Sequence, residues 1–375
     1  MKYRIPSIFL ALGYLSFFVL LVYVLVELRS LLYPIALAIL FAYLLYPISS
    51  RLENLGLPRI LANILSILFS FAVLSGFIYF FYSQLALLLA DFPELIKQAH
   101  KNLDTLNNFI EDKAGISAQE QNIWLKESLS NLFATGSEFI KTAFQATTGT
   151  LAKLGLLPVY IFFMLYYRNK FGNFIFSLVN ENHHHILHDI VLQISLVTKR
   201  YMSGMVIVVL ILCVLNSVGL YIVGIKYALL LGVISAFINF IPYFGTLIGG
   251  AIPLLFSLLV MDSPTYALGV IVLFIIIQFL ENNILTPNIV GGNVDINPFF
   301  TILSIIIGGM MWGLPGMLIS LPIMSIIRIV CSNIPALRPY AYLLGTSGTE
   351  HHAVTFKGMR TKMQQWFSRS NKRSV

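Results

Sequence analysis

The sequence predicts an all-α integral membrane protein of about eight transmembrane helices, two of them broken or re-entrant, with a helical extracytoplasmic insert. Three observations lead there. Charged residues make up 11% of the chain and hydrophobic residues 58%, with a mean hydropathy of +0.83. A soluble domain carries about 25% charged residues. The charges are also spaced so that long uncharged runs lie between them. Finally, the C-terminal third holds two apolar runs that are interrupted by proline and glycine, a pattern a soluble core does not need.

Gaps between charges give the spans in order: Ile5–Val26, Ser30–Ser50, Ile60–Ala90, the less clean Leu151–Tyr167, Tyr201–Ile225, Tyr227–Met261, Ser263–Leu280 and Ile296–Ile327, all but the fourth uncharged. Each is near or above the ~20 residues that a helix needs to cross a hydrocarbon core. Lys153 falls near the start of the fourth, where its ammonium can snorkel to the interface. The first run is too long for a signal-peptide core, lacks a small-residue cleavage site and is followed at once by another run. An even number of spans puts both termini on one face. Lys2, Arg4, Arg51, Arg59, Arg168, Lys170, Lys199, Arg200 and the basic tail from Arg328 onward all fall on that face. The positive-inside rule makes it cytoplasmic.

Four regions follow. Residues 1–82 hold the first three spans, and 83–148 form the extracytoplasmic insert. Residues 149–330 hold the remaining spans with the broken-helix core, and 331–375 are a basic cytoplasmic tail. In the insert Leu95, Leu103, Leu106 and Ile110 keep one helical face and Gly115 breaks the run. Ser117 with Glu120 has capping-box spacing and starts a second helix carrying Trp124, Leu125, Leu129, Leu132 and Phe133. Two such helices make little core alone, so they are expected to pack on each other, on the membrane surface or on neighbouring subunits. In the tail, Phe356, Met359, Met363, Trp366 and Phe367 alternate with Lys357, Arg360 and Lys362. That stretch is either a basic amphipathic helix on anionic lipid or a solvated basic tail.

The broken runs carry the functional reading. The first contains Asn239-Phe240-Ile241-Pro242-Tyr243-Phe244-Gly245, then Gly249-Gly250 and Pro253. The second contains Gly308-Gly309, then Gly313-Leu314-Pro315-Gly316 and Pro322. Lipid offers the backbone no hydrogen-bond partner, so interrupted helices persist only against protein or a wet cavity. The glycine pairs serve equally well for close helix packing. Pro242, Pro253 and Pro315 each remove a donor and free a carbonyl that can face a polar ligand. Asn216 is expected to bond to a neighbouring helix.

Between the runs lies Gln278-Phe279-Leu280-Glu281-Asn282-Asn283, followed by Pro287. Glu281 ends an uncharged run, which suits an interfacial carboxylate. Ile284, Leu285, Ile289 and Val290 continue the apolar pattern beyond it. A carboxylate held inside the bilayer faces a wet cavity, a cation or a proton path.

These segments resemble the autoinducer-2 exporter family, also called PerM-like permeases. The residues that carry the resemblance are Ile238–Gly245, Gly249–Pro253, Gln278–Pro287 with Val290-Gly291, and Asn297-Pro298. Gly308-Gly309, Gly313–Leu318 and Leu321-Pro322 complete them. Asn288 and Gly292 depart from the bulkier residues expected there. The rest of the chain matches in layout alone: three spans, a helical insert, then the remaining spans. The resemblance implies a multi-spanning, homo-oligomeric permease of the bacterial inner membrane. Members have been assigned export of the signal autoinducer-2, and some look like sodium/proton antiporters.

Other classes lack a carrier. No Gly-x-Ser-x-Gly elbow, His-Glu-x-x-His or Walker glycine loop occurs, so no enzymatic activity is expected. Cys213 and Cys331 sit in apolar surroundings and read as buried thiols. His183-His184-His185 with His188 reads as a solvated loop cluster rather than a metal site, and no cofactor or nucleic-acid partner is expected. The leading expectation is a permease that exports a small polar solute. Its substrate or ion path runs through Asn239, Pro242, Gly245, Pro253, Glu281, Asn282, Asn283, Pro287, Gly308, Gly309 and Pro315. Two alternatives stay open at this point: antiport of sodium and protons on Glu281, and a membrane scaffold whose breaks only pack.

Overall fold

A helix satisfies its own backbone, which makes it the natural element for a chain with so few polar side chains. The computed structural model describes residues 7–114, 155–241, 244–290 and 295–346, and every regular element among them is helical. Helix α1 (Ser7–Glu27) leads into α2 (Arg29–Asn54), which runs unbroken through Pro34 and Pro47. A turn at Gly56, in the left-handed region, joins it to α3 (Arg59–Ala90). Then come α4 (Phe92–Ala114), α5 (Leu157–Tyr166), α6 (Arg168–Ser177) and the 40-residue α7 (His184–Val223). Next are α8 (Ala228–Ile238), α9 (Phe244–Val260) and α10 (Pro264–Leu280). A π-helical turn, Glu281–Leu285, carries α10 into the short α11 (Thr286–Ile289). The chain continues with α12 (Pro298–Trp312), α13 (Leu314–Asn333) and α14 (Arg338–Leu344).

Helix α7 is the axis. At 1.5 Å per residue it spans about 60 Å, more than the bilayer, so the charged turns before Tyr201 project beyond the hydrocarbon. Tyr201, Met202, Met205, Val208, Val209 and Leu212 form its core face. They pack with Leu40 of α2, Ala236 of α8, Ile277 of α10, and Ile319 and Leu321 of α13. Lipid is as apolar as leucine, so such helices hold together by close contact rather than by escape from water. Small residues provide that contact. A Cβ on Gly232 would lie 2.5 Å from the Ser217 nitrogen, and one on Gly308 would lie 2.5 Å from the Gly316 oxygen.

Polar clusters fix both ends of the bundle. At one end Arg168 donates to both Glu53 oxygens, at 2.9 and 2.6 Å, and stacks over Tyr46. At the other end α4 buries Leu95, Ala99 and Leu103. Asn102 donates to the carbonyls of Leu259 and Met261 at 3.0 and 2.8 Å, and Gln98 donates to Asp262 at 2.7 Å. The first insert helix therefore docks on the end of α9, a partner absent from the sequence expectation. The second insert helix expected after Ser117, the basic stretch 355–367, Pro242, Gly291 and Gly292 lie outside the described residues.

Five described helical segments are long and apolar enough to cross a membrane: Arg29–Asn54, Arg59–Ala90, Glu181–Val223, Pro264–Ile289 and Leu314–Asn333. They correspond to the second, third, fifth and seventh uncharged runs and to the second half of the eighth. The two interrupted runs each fold as a pair of packed helices, α8 with α9 and α12 with α13. The first pair parts between Asn239 and Phe244, as the sequence anticipated. The second parts at Gly313, whose φ of 65° and ψ of −144° suit glycine. Pro315 lies in the first turn of α13, where a missing N–H costs nothing, so the break belongs to the glycine.

Candidate functional site

The break between α8 and α9 places a polar group where none is cheap. Asn239, the C-cap of α8, is 8% exposed, and its amide donates a 2.6 Å hydrogen bond to Glu281 Oε1. Gln278, one turn earlier on α10, donates to Glu281 Oε2 at 3.3 Å and to Asn282 Oδ1 at 3.1 Å. None of the ion pairs among the described residues involves Glu281. Its partners are two neutral amides.

Glu281 opens the π turn. A wider turn of this kind is rare inside helices and recurs at functional sites. Asn283 and Asn288 donate to the carbonyls of Phe279 and Ile284, at 2.9 and 2.7 Å, which holds the altered stretch in shape.

Glu281, Asn239 and Gln278 face a narrow space that Leu212, Asn216, Ser235, Gly245 and Gly249 also line. It has room for about one water-sized group. Leu212 and Asn216 lie near the centre of the uncharged run Tyr201–Ile225, so the carboxylate sits at the depth of mid-span rather than at a charged end. Asn216 bonds to the neighbouring helix as expected, through a long 3.5 Å contact from Nδ2 to the Gly232 carbonyl. Its Oδ1 is buried and has no hydrogen-bond partner among the described residues. A buried acceptor left open costs about 1–3 kcal/mol, a cost that a ligand or water removes.

Gly245 makes the geometry possible. A Cβ there would stand 2.7 Å from the Asn239 nitrogen, so only glycine lets α9 begin so close to the end of α8. Pro253 acts differently from the expectation. Helix α9 runs straight through it, the ring is fully buried, and the Gly249 carbonyl it frees lies 2.6 Å from the Ser235 hydroxyl. That carbonyl accepts from the Ser235 hydroxyl and ties α8 to α9.

On its far wall the narrow space meets a larger groove of about 560 Å³ between α9 and α10, where Asn282 and Asn283 join apolar side chains. The structure thus brings together Asn239, Gly245 and Glu281, with Asn282 and Asn283 next door. Pro287 lies beyond the π turn, and Gly308, Gly309 and Pro315 belong to the α12–α13 contact, lining neither space. Gly308 packs on Gly316 and Gly309 on Met317. Asn216, Ser235 and Thr246 were not among the expected path residues. Asn216 and Ser235 carried a faint signal as polar side chains inside apolar runs. Elsewhere, His184 Nε2 lies 3.0 Å from the Val179 carbonyl and His188 sits beside Asp189.

A family model described as AI-2E family transporter matches residues 15–336. The chain belongs to the AI-2E transporter family. It is similar to YueF of Bacillus subtilis (strain 168), 27% identical over 321 residues that cover 82% of this chain and 85% of YueF. YrrI of the same organism is 24% identical over 80% of this chain and 86% of its own length. PerM of Escherichia coli (strain K12) is 25% identical, again over 80% and 86%. The names of the first two designate transport proteins and the third a permease. The AI-2E assignment makes this chain a membrane transport protein.

Proposed function

We propose that this AI-2E family member carries a small polar solute across the cytoplasmic membrane by way of the space beneath the α8–α9 break. Autoinducer-2 is the first solute to test. One observation carries the reading: a carboxylate at mid-span depth, held by Asn239 from the break of one helix and by Gln278 from the π-distorted end of another. A bilayer protein keeps such a group where polar matter passes. The solute completes the hydrogen bonds that Glu281 and Asn216 Oδ1 leave open, and parting α8–α9 from α10 exposes it to either face. Export fits a bundle whose basic residues face the cytoplasm, with the tail against anionic lipid and copies of the chain assembled side by side. The test is flux into and out of proteoliposomes containing the full chain, with autoinducer-2 and other small polar solutes. Movement above protein-free vesicles supports the reading, and none for any solute under either imposed sodium or proton gradient refutes it.

A further inference from the structure

The two spaces beside Glu281 share a wall and differ in character. The inner one is narrow and presents acceptors: the Glu281 carboxylate and the Oδ1 of Asn216, a residue 3% exposed whose Oδ1 has no partner among the described residues. The outer one, about 560 Å³, is apolar along Leu254, Ile271 and Ile275, and opens where Ile271 and Ile275 are 41% and 64% exposed. Thr246, Gly250, Phe274 and Gln278 line both. Phe274 lies against Gly250, where a Cβ would stand 3.3 Å from the ring, so the aromatic has a bare backbone to lean on and little else between the spaces.

From this arrangement we propose that the site takes a primary alkylammonium, its –NH₃⁺ head in the inner space and its alkyl tail in the outer groove. The proposal rests on the permease reading and narrows its solute to an amphipathic amine that enters sideways from the bilayer. Charge decides the head. A half-buried carboxylate with no cationic partner among the described residues is costly, and an ammonium supplies both the charge and three donors for acceptors left open. Size decides the kind of amine. A primary ammonium is water-sized and fits, whereas a trimethylammonium does not. The groove decides the tail, because its mouth is formed by exposed isoleucines on a helix apolar and long enough to cross a membrane, a surface suited to an alkyl chain.

The experiment is calorimetric titration of the detergent-purified full chain with methylammonium, n-butylammonium, n-hexylammonium, n-hexanol and hexyltrimethylammonium. Affinity should rise up to about fourfold per methylene along the ammonium series. Hexanol and hexyltrimethylammonium should each bind at least tenfold more weakly than hexylammonium. Glu281→Gln should remove most of the hexylammonium affinity, and Ile275→Ser should flatten the chain-length dependence. Equal binding of hexanol and hexylammonium would mean that the groove takes any tail, lipid included, and overturns the proposal. So would a flat chain-length series in the parent protein, a result that needs no variant to fold. Flux of another solute without ammonium binding sinks this inference and leaves the permease reading intact; ammonium binding without any flux does the reverse.

Discussion

Asn239 and Glu281 are 42 positions apart in sequence, yet the amide of one and the carboxylate of the other meet at 2.6 Å. The bond joins the end of α8 to the π turn after α10, so two irregular pieces of backbone stabilise one another. Hydrogen bonds to an ionised group contribute about 1.5–3 kcal/mol when buried, and less here because Glu281 is partly exposed. Asn239→Ala should therefore lower thermal stability in detergent. A cycle with Glu281→Gln should return a coupling of about 1 kcal/mol or more. Additive effects of the two changes would mean the bond contributes nothing.

Gly245→Ala should fail to give a monodisperse protein, because its Cβ would collide with backbone that cannot yield. Gly308→Ala, facing the Gly316 oxygen at 2.5 Å, should do the same for the α12–α13 pair. Gly76→Ala is the control. Nothing lies within 4 Å of its Cβ, and alanine in a helix gains about 0.5–1 kcal/mol. Size-exclusion profiles of the three variants check this.

A second polar relationship lies at the α4 end. Tyr227, in the left-handed region, donates to Asp91 Oδ2, and Lys226 Nζ lies 3.1 Å from the same oxygen. The tyrosine hydrogen bond first, then Lys226, hold the Asp91 carboxyl below its ordinary value, while Asp91 first, then Tyr227, hold the Lys226 ammonium above its own. A depressed acid stabilises the fold above its unfolded value and loses that contribution as pH falls through its folded value. A raised lysine contributes below its unfolded value and loses it as pH rises through its folded one. Hydrogen exchange at the α3–α4 junction should quicken at both extremes. Asp91→Asn should remove the acid limb, and an unchanged acid limb in that variant would assign it to another group.

Orientation is open to a direct check. Reporters fused at Met1 and at Val375 should both read as cytoplasmic, and a glycan acceptor inserted near Gly115 should be modified. Modification failing while a cytoplasmic label reaches the insert would invert the arrangement proposed from the charge distribution.

Much of the fold was legible in hydropathy alone. The third uncharged run, Ile60–Ala90, became α3 at Arg59–Ala90, and the seventh, Ser263–Leu280, became α10 at Pro264–Leu280. Charge gaps find such helices because a buried charge is costly wherever it falls. They do not find where a helix extends past the bilayer, and α7 continues through Lys199 and Arg200 back to His184. The break after Asn239 was legible, whereas its counterpart was ascribed to Pro315 when Gly313 makes it. Proline in the first turn of a helix and proline inside one look the same in sequence, and only the backbone separates them. The π turn has no sequence period. The meeting of Asn216 and Ser235 with Glu281 depends on the rotation of three helices about their axes, which no single run encodes.

Glu281 is the point on which the account turns. In proteoliposomes, with insertion confirmed by protease protection, Glu281→Gln should lower solute flux at least about tenfold, a loss of roughly 1.4 kcal/mol or more. Asp262→Asn, which keeps an oxygen for the Gln98 amide, should transport like the parent. Parental flux in Glu281→Gln would contradict the claim that solute passes this carboxylate.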